Sequence, residues 1–160
     1  MLAEFEAFIS YAQINIFRPE QPQFNLWTPE HDAQGFAWRE GSVSFGVPDH
    51  DGTVWVEIDL RPTAKPVDAT ALRAVTVPFL VGNDGAVYSA LDDDRRLDIP
   101  AGSYAVQYEL LPGFERDEVD YAYRLVVTFS PDPQPGFAIL RNDAEVTATE
   151  VLSTTATPAM

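Results

Sequence analysis

Wherever apolar residues gather in this chain they recur at every second position, the period of a strand with one buried face. Val54, Val56, Ile58 and Leu60 share one face, and Trp55, Glu57, Asp59 and Arg61 the other. Val75, Val77, Phe79 and Val81 repeat the pattern, as do Tyr104, Val106, Tyr108 and Leu110. The clearest run sets Tyr121, Tyr123, Leu125, Val127 and Phe129 against Ala122, Arg124, Val126, Thr128 and Ser130. Further strands are expected at 8–17, 36–38, 43–45, 96–99 and 137–141. The 13 prolines and 9 glycines punctuate these runs and leave no room for long helices. About eight short strands separated by turn signals predict an all-β fold, an antiparallel β-sandwich (jelly-roll-like or a related barrel) with one short helix.

That helix is expected at 28–35. Thr28 can cap it, Pro29 suits the first helical position, Glu30 and Asp32 favour the first turn, and Gly35 can close it. Pro78 removes a ladder donor from its strand, so the strand is expected at an edge or with a bulge there. Asp51-Gly52 and Asp84-Gly85 carry the residue types of hairpin turns. The 160 residues suit one domain. No repeat or composition shift divides them, and a single sandwich domain is expected over 1–153. The last residues, 154–160, are expected to fray.

Composition narrows the function classes. Acidic residues number 25 against 10 basic, a formal charge of −15. A field of that sign repels nucleic acid and anionic lipid and favours a basic partner, or serves solubility alone. The acidic start, Met1 to Glu6, lacks the basic and apolar segments of a secretory signal. The purely apolar stretches are far shorter than the roughly 20 residues that span a bilayer. A soluble cytoplasmic protein is expected. Cysteine is absent, so thiolate chemistry, disulfides and cysteine-ligated metals are excluded.

Catalytic and metal motifs fail on inspection. Around Ser44 the nucleophile-elbow pattern needs glycine at position 42, which holds Ser42, and the stretch reads as a strand. His31 and His50 stand at no metal-ligand spacing, and both read as solvated or turn residues. An EF-hand opening at Asp49 needs glycine and glutamate where Val54 and Leu60 stand. No phosphate-binding loop occurs, and Lys65 is the sole lysine. No cofactor and no catalytic or metal-ligating residue is expected. What stands out is concentrated acid: Asp92, Asp93 and Asp94 in one group, and Glu115, Asp117, Glu118 and Asp120 in another between two strands. Both groups read as loops. Spaced carboxylates there can keep sheet edges apart, or can take the places of phosphates in a nuclease groove.

Several motifs, in order, resemble the competence protein J family, inhibitors of the DNA-entry nuclease in competent bacteria. They are Ile9-Ser10-Tyr11 leading to Phe17, Trp27-Thr28 before the short helix, and Gly35 followed by an aromatic. Gly41-Ser42-Val43-Ser44-Phe45, Val75-Thr76-Val77-Pro78-Phe79 and Leu97-Asp98-Ile99-Pro100-Ala101-Gly102-Ser103-Tyr104 complete the set. The resemblance spans about two-thirds of the chain, residues 9–111, and rests mostly on turns and core aromatics. It implies a non-enzymatic binding protein whose partner is a nuclease. It carries no contact residues across, so Asp92, Asp93, Asp94, Asp117, Glu118 and Asp120 are the candidates on charge alone. A carbohydrate- or calcium-binding β-sandwich module is the alternative, favoured by Trp27, Trp38 and Trp55 if their rings are free. A small β-barrel enzyme is a third reading, for which the sequence supplies no nucleophile or base.

Overall fold

The computed structural model describes residues 1–9, 11–22, 24–90 and 93–159. Among these residues, eleven strands and one helix run in the order β1 (Ala3–Ala7), β2 (Gln13–Phe17), α1 (Pro29–Gln34), β3 (Phe36–Arg39), β4 (Ser42–Gly46), β5 (Val54–Leu60), β6 (Arg73–Val81), β7 (Ala86–Ala90), β8 (Asp93–Leu97), β9 (Gly102–Arg116), β10 (Val119–Pro131) and β11 (Ala138–Arg141). They form two sheets, β1-β5-β10-β9-β6-β11 and β3-β4-β2-β7-β8. Every pairing is antiparallel except β5 with β10, which is parallel. The predicted antiparallel sandwich with one short helix is the observed architecture.

The period-2 runs fill the space between the sheets. Val54, Val56 and Ile58 of β5 lie alongside Leu125, Val127 and Phe129 of β10 and Val106, Tyr108 and Leu110 of β9 on one face of the larger sheet, within one buried cluster. The other sheet contributes Ile14, Ile16, Val43, Phe45 and Tyr88 to it. Phe45 stacks on Tyr108 with ring centres 4.8 Å apart, and Phe5 meets Tyr88 edge-on at 4.9 Å, so aromatic pairs join the layers at two places.

Four local expectations need correction. The strand expected over 8–17 is two strands, β1 and β2, that belong to different sheets, with Phe8 and Tyr11 in the turn between them. Asp51-Gly52 and Asp84-Gly85 do turn the chain, with φ of 80° and 73° at the glycines. Each leads from one sheet to the other rather than closing a hairpin, because the strands they join must pack face to face. Asp93 and Asp94 lie in strand β8, not in a solvated loop; Asp92 falls outside the described residues. His31 is buried at 2% exposure rather than solvated. Near the C-terminus, Leu26 donates its N–H to Thr157 O at 2.8 Å, and Ala159 N–H donates to Phe24 O at 2.6 Å.

Pro78 lies in a strand paired on both sides, yet the pairing tolerates it. β11 covers only Ala74 to Thr76, so Pro78 meets no strand on the side away from β9. There its carbonyl accepts the Trp38 indole N–H at 2.7 Å.

One buried cation binds three parts of the chain. Arg73, 3% exposed on β6, donates to Asp143 Oδ2 at 2.7 Å, to Glu145 Oε1 at 2.8 Å and to Gly46 O at 3.1 Å. Gly46 O also accepts the Tyr108 hydroxyl at 3.0 Å. Burial raises the Asp143 carboxyl, but hydrogen bonds from Arg73 and from the Val146 N–H outweigh it and hold the group below its ordinary value. Arg73→Met therefore leaves a half-buried carboxylate unpaired and should cost about 3 kcal/mol in urea denaturation. Because the folded Asp143 is the more acidic form, its contribution is full above the usual Asp pKa of about 3.9 and is lost as pH falls through the lowered folded value. The gap between parent and variant should accordingly shrink at acid pH.

Candidate functional site

The β9–β10 hairpin is longer than the sandwich needs. Its inner part, Tyr104 to Leu110 against Leu125 to Pro131, builds the core, while the part beyond Leu111 projects from it. Arg116 pairs with Val119, so Asp117 and Glu118 alone make the turn, with φ of 50° and 65°. Two residues with positive φ form the mirror-image turn that matches strand twist, a geometry that favours Asn-Gly. Asp tolerates it, since its short side chain can bond the local backbone; Glu lacks that relief and sits there under strain. Glu115, Asp117, Glu118 and Asp120 all lie exposed around that tip.

The hairpin is held from one side. Arg116 spreads over the Trp55 ring at 4.5 Å and bonds Glu4 Oε1 of β1 at 3.2 Å. Tyr121 donates its hydroxyl to Glu6 Oε1 at 3.0 Å, and burial followed by that carboxylate raises its phenol above the ordinary value. Ala122 N–H donates to Thr53 O at 2.9 Å. The projecting end is thus braced against β1 and the segment leading into β5, and its carboxylates keep their water.

The two acidic groups do not form one cluster. Asp93 pairs with Arg95 at 3.2 Å, and Asp94 accepts the Ser89 hydroxyl at 2.5 Å. Arg95 in turn covers the Phe5 ring at 3.8 Å. Phe5 faces the core from β1, whereas Glu4 and Glu6 on the same strand meet the hairpin. The aspartates of β8 and the carboxylates of the hairpin therefore approach β1 from its two faces. The first are engaged within the sheet edge. Among the described residues, Glu118 and Asp120 make no ion pair.

The three tryptophans are not open platforms. Trp27 donates to Gln13 Oε1 at 2.6 Å, Trp38 to Pro78 O, and Trp55 lies under Arg116. A groove of about 510 Å³ beside Trp55 is lined by Phe114, Arg116, Glu4, Glu57 and Arg124 among others. Its charges are matched within it: Arg124 forms a two-pronged pair with Glu57, whose hydrogen bond is the main cause of its raised pKa. No group of three metal-ligating side chains occurs among the described residues. His31 accepts the Thr28 N–H at Nδ1 (3.0 Å), so Nε2 carries the proton and donates to Thr155 O at 3.1 Å. Gln34 accepts the N–H groups of Leu152 and Ser153 at 2.9 and 3.0 Å. Helix α1 is thereby an anchor for the C-terminal segment, a role that sequence reading missed because its partners lie more than a hundred residues away.

With that geometry in view, comparison with known proteins is decisive on family. The family model described as competence protein J matches residues 6–130. The chain belongs to the competence protein J family. Its fold is similar to the crystal structure of ComJ from Bacillus subtilis, an inhibitor of the DNA-degrading activity of NucA, with a TM-score of 0.68. That match has 22% identity and covers 81% of this chain and 96% of the other. No curated protein matches the sequence. The family match ends at the close of β10, so it includes the whole acidic hairpin and excludes β11 and the C-terminal segment that α1 and Arg73 hold.

The turn residues yield a direct stability test. Glu118→Gly removes a side chain from a left-handed position and should stabilise the fold by about 1 kcal/mol. The rise should be visible as a higher midpoint in thermal denaturation. A lower midpoint would mean that Glu118 is held by contacts that outweigh the backbone strain.

Proposed function

We propose that this protein is a non-enzymatic inhibitor of a DNA-degrading nuclease, acting in the cytoplasm and docking an acidic surface on the nuclease's basic DNA-binding face. Membership of the competence protein J family supports the partner class, and the inhibition of NucA by the Bacillus subtilis protein supports the nuclease. The observation that carries the mechanism is the braced, projecting hairpin whose turn is made of two carboxylates in a geometry suited to Asn-Gly. A chain of charge −15 is drawn to a cationic groove, and rigid carboxylates at the end of a two-stranded ribbon reach into it where phosphates would bind. Asp117, Glu118 and Asp120 are assigned the leading contacts. Asp93 and Asp94 are assigned a steering role from the edge strand β8, since they are engaged by Arg95 and Ser89, and Asp92, outside the described residues, is assigned the same role on charge alone.

Helix content adds no membrane role: no helix among the described residues is long and apolar enough to cross a bilayer. The engaged tryptophans remove the feature that favoured a carbohydrate-binding module.

Opposite charge across such an interface mainly accelerates encounter. Raising salt from about 0.05 to 0.5 M should slow association with the nuclease at least tenfold and change dissociation much less. The triple variant Asp117→Lys, Glu118→Lys and Asp120→Lys should lose inhibition of DNA degradation, whereas Glu150→Lys, on the exposed C-terminal segment, should inhibit like the parent. Equal inhibition by the triple variant and the parent would contradict the assignment of the hairpin.

A further inference from the structure

The hairpin is not alone at its end of the sandwich. β1 finishes there, where Ala7 pairs with Val54 at the start of β5. The turn after β1 is tied to the loop after β4 by Val47 N–H donating to Ala12 O at 2.8 Å. That loop is tied to the hairpin by the His50 ring, edge-on to Tyr123 at 5.8 Å, and by the Thr53 carbonyl that accepts Ala122 N–H. Three separate segments thus form one end surface.

On this surface stand the two large apolar side chains with the greatest exposure among those described. Phe8 is 72% exposed and Tyr11 78%. Single exposed apolar residues are ordinary. Two rings, three residues apart on one turn, are different, because among the described residues neither has a hydrogen-bond or ring-stacking partner. Tyr11 is also held at φ 60°, where Asn or Gly would sit with less strain, so the fold by itself gains neither backbone comfort nor burial from it. Exposed Glu6, Asp49 and Asp51 surround the turn, and the hairpin carboxylates continue the same negative field. Apolar rings ringed by one sign of charge have the anatomy of a protein interface: aromatic anchors that fill pockets, and a charged rim that steers.

We infer that Phe8 and Tyr11 are the anchor residues of the surface that docks on the nuclease, inserting into apolar pockets beside its cationic groove. The inference rests on the inhibitor reading above and adds to it where the affinity resides. The division of labour is physical. Rim carboxylates act over several ångströms and set how fast the partners meet. Two rings leaving water act only on contact and set how long they stay together. The occupant is a basic protein because only a cationic wall is compatible with carboxylates on the adjoining loops. A second copy of this chain would bring like charge against like.

The test is a kinetic comparison with the NucA-type nuclease of the organism that supplies this chain. The double variant Phe8→Ser, Tyr11→Asn removes both rings, and asparagine suits the left-handed backbone at position 11. Its thermal midpoint should match or exceed the parent's, which separates loss of contact from loss of fold. Its dissociation rate should rise at least about tenfold while association changes by less than about twofold. The hairpin triple variant should show the opposite pattern. If the double variant dissociates like the parent while the triple variant associates slowly, the anchors are elsewhere and the inhibitor reading stands without this inference. If the parent itself fails to bind the nuclease, the inhibitor reading falls and the inference with it. If the parent elutes as a dimer that the double variant breaks, with nuclease binding unchanged, the rings serve self-association and the inference is overturned.

Discussion

The register of β9 against β10 is the constraint on which the rest depends. One register holds from Tyr104–Pro131 to Arg116–Val119, interrupted only opposite Ala122, whose N–H turns to Thr53 O, so one ribbon serves two purposes. Along its inner half, alternate residues face the second sheet and form the centre of the core. Along its outer half the same ladder continues without a second sheet beneath it. A ribbon standing free would be marginal. Here it is stiffened by continuity with a buried ladder and by Arg116 and Tyr121, which fasten it to Glu4 and Glu6. Rigid presentation of charge beyond the ends of the neighbouring strands follows from that arrangement.

Edge protection follows from the same layout. β1 and β8 are edge strands of the two sheets, and both carry acids: Glu4 and Glu6 on one, Asp93 and Asp94 on the other. Charged edges resist pairing with another copy of the chain. At the opposite edge the chain closes over itself instead. β11 and the segment after it are drawn in by Arg73, by the Phe137 ring against Phe36 and Trp38, and by α1. The molecule therefore has one edge closed by its own chain and one left charged, with two bare rings in the turn after β1.

Local pattern disclosed the strands that build the core, because each lies half in and half out of a hydrophobic layer and its alternation records that directly. β5, β6, β9 and β10 were legible for this reason. β1 was not: Ala3-Glu4-Phe5-Glu6-Ala7 offers the core one large side chain, and acids are depleted in ordinary strands. Asp93 and Asp94 were read as loop for the same reason. The assignment of strands to sheets, the parallel match of β5 with β10, and the partners of Arg73 and His31 depend on contacts between distant residues, which no local window contains. The candidate site divides likewise. Its carboxylates are visible as charge, but the two-residue turn at Asp117 and Glu118 depends on the β9–β10 register, and the exposure of Phe8 and Tyr11 depends on β1 and β2 lying in different sheets.

The central claim is that the charged end of the sandwich is the face that meets a nuclease. Amide hydrogen exchange of the complex against the free protein locates that face without altering any residue. Protection on binding should be concentrated in 8–12, 48–53 and 115–121, with the β6–β11 edge and the C-terminal segment exchanging as in the free protein. Protection confined to that opposite edge, with the hairpin tip unchanged, would contradict the account.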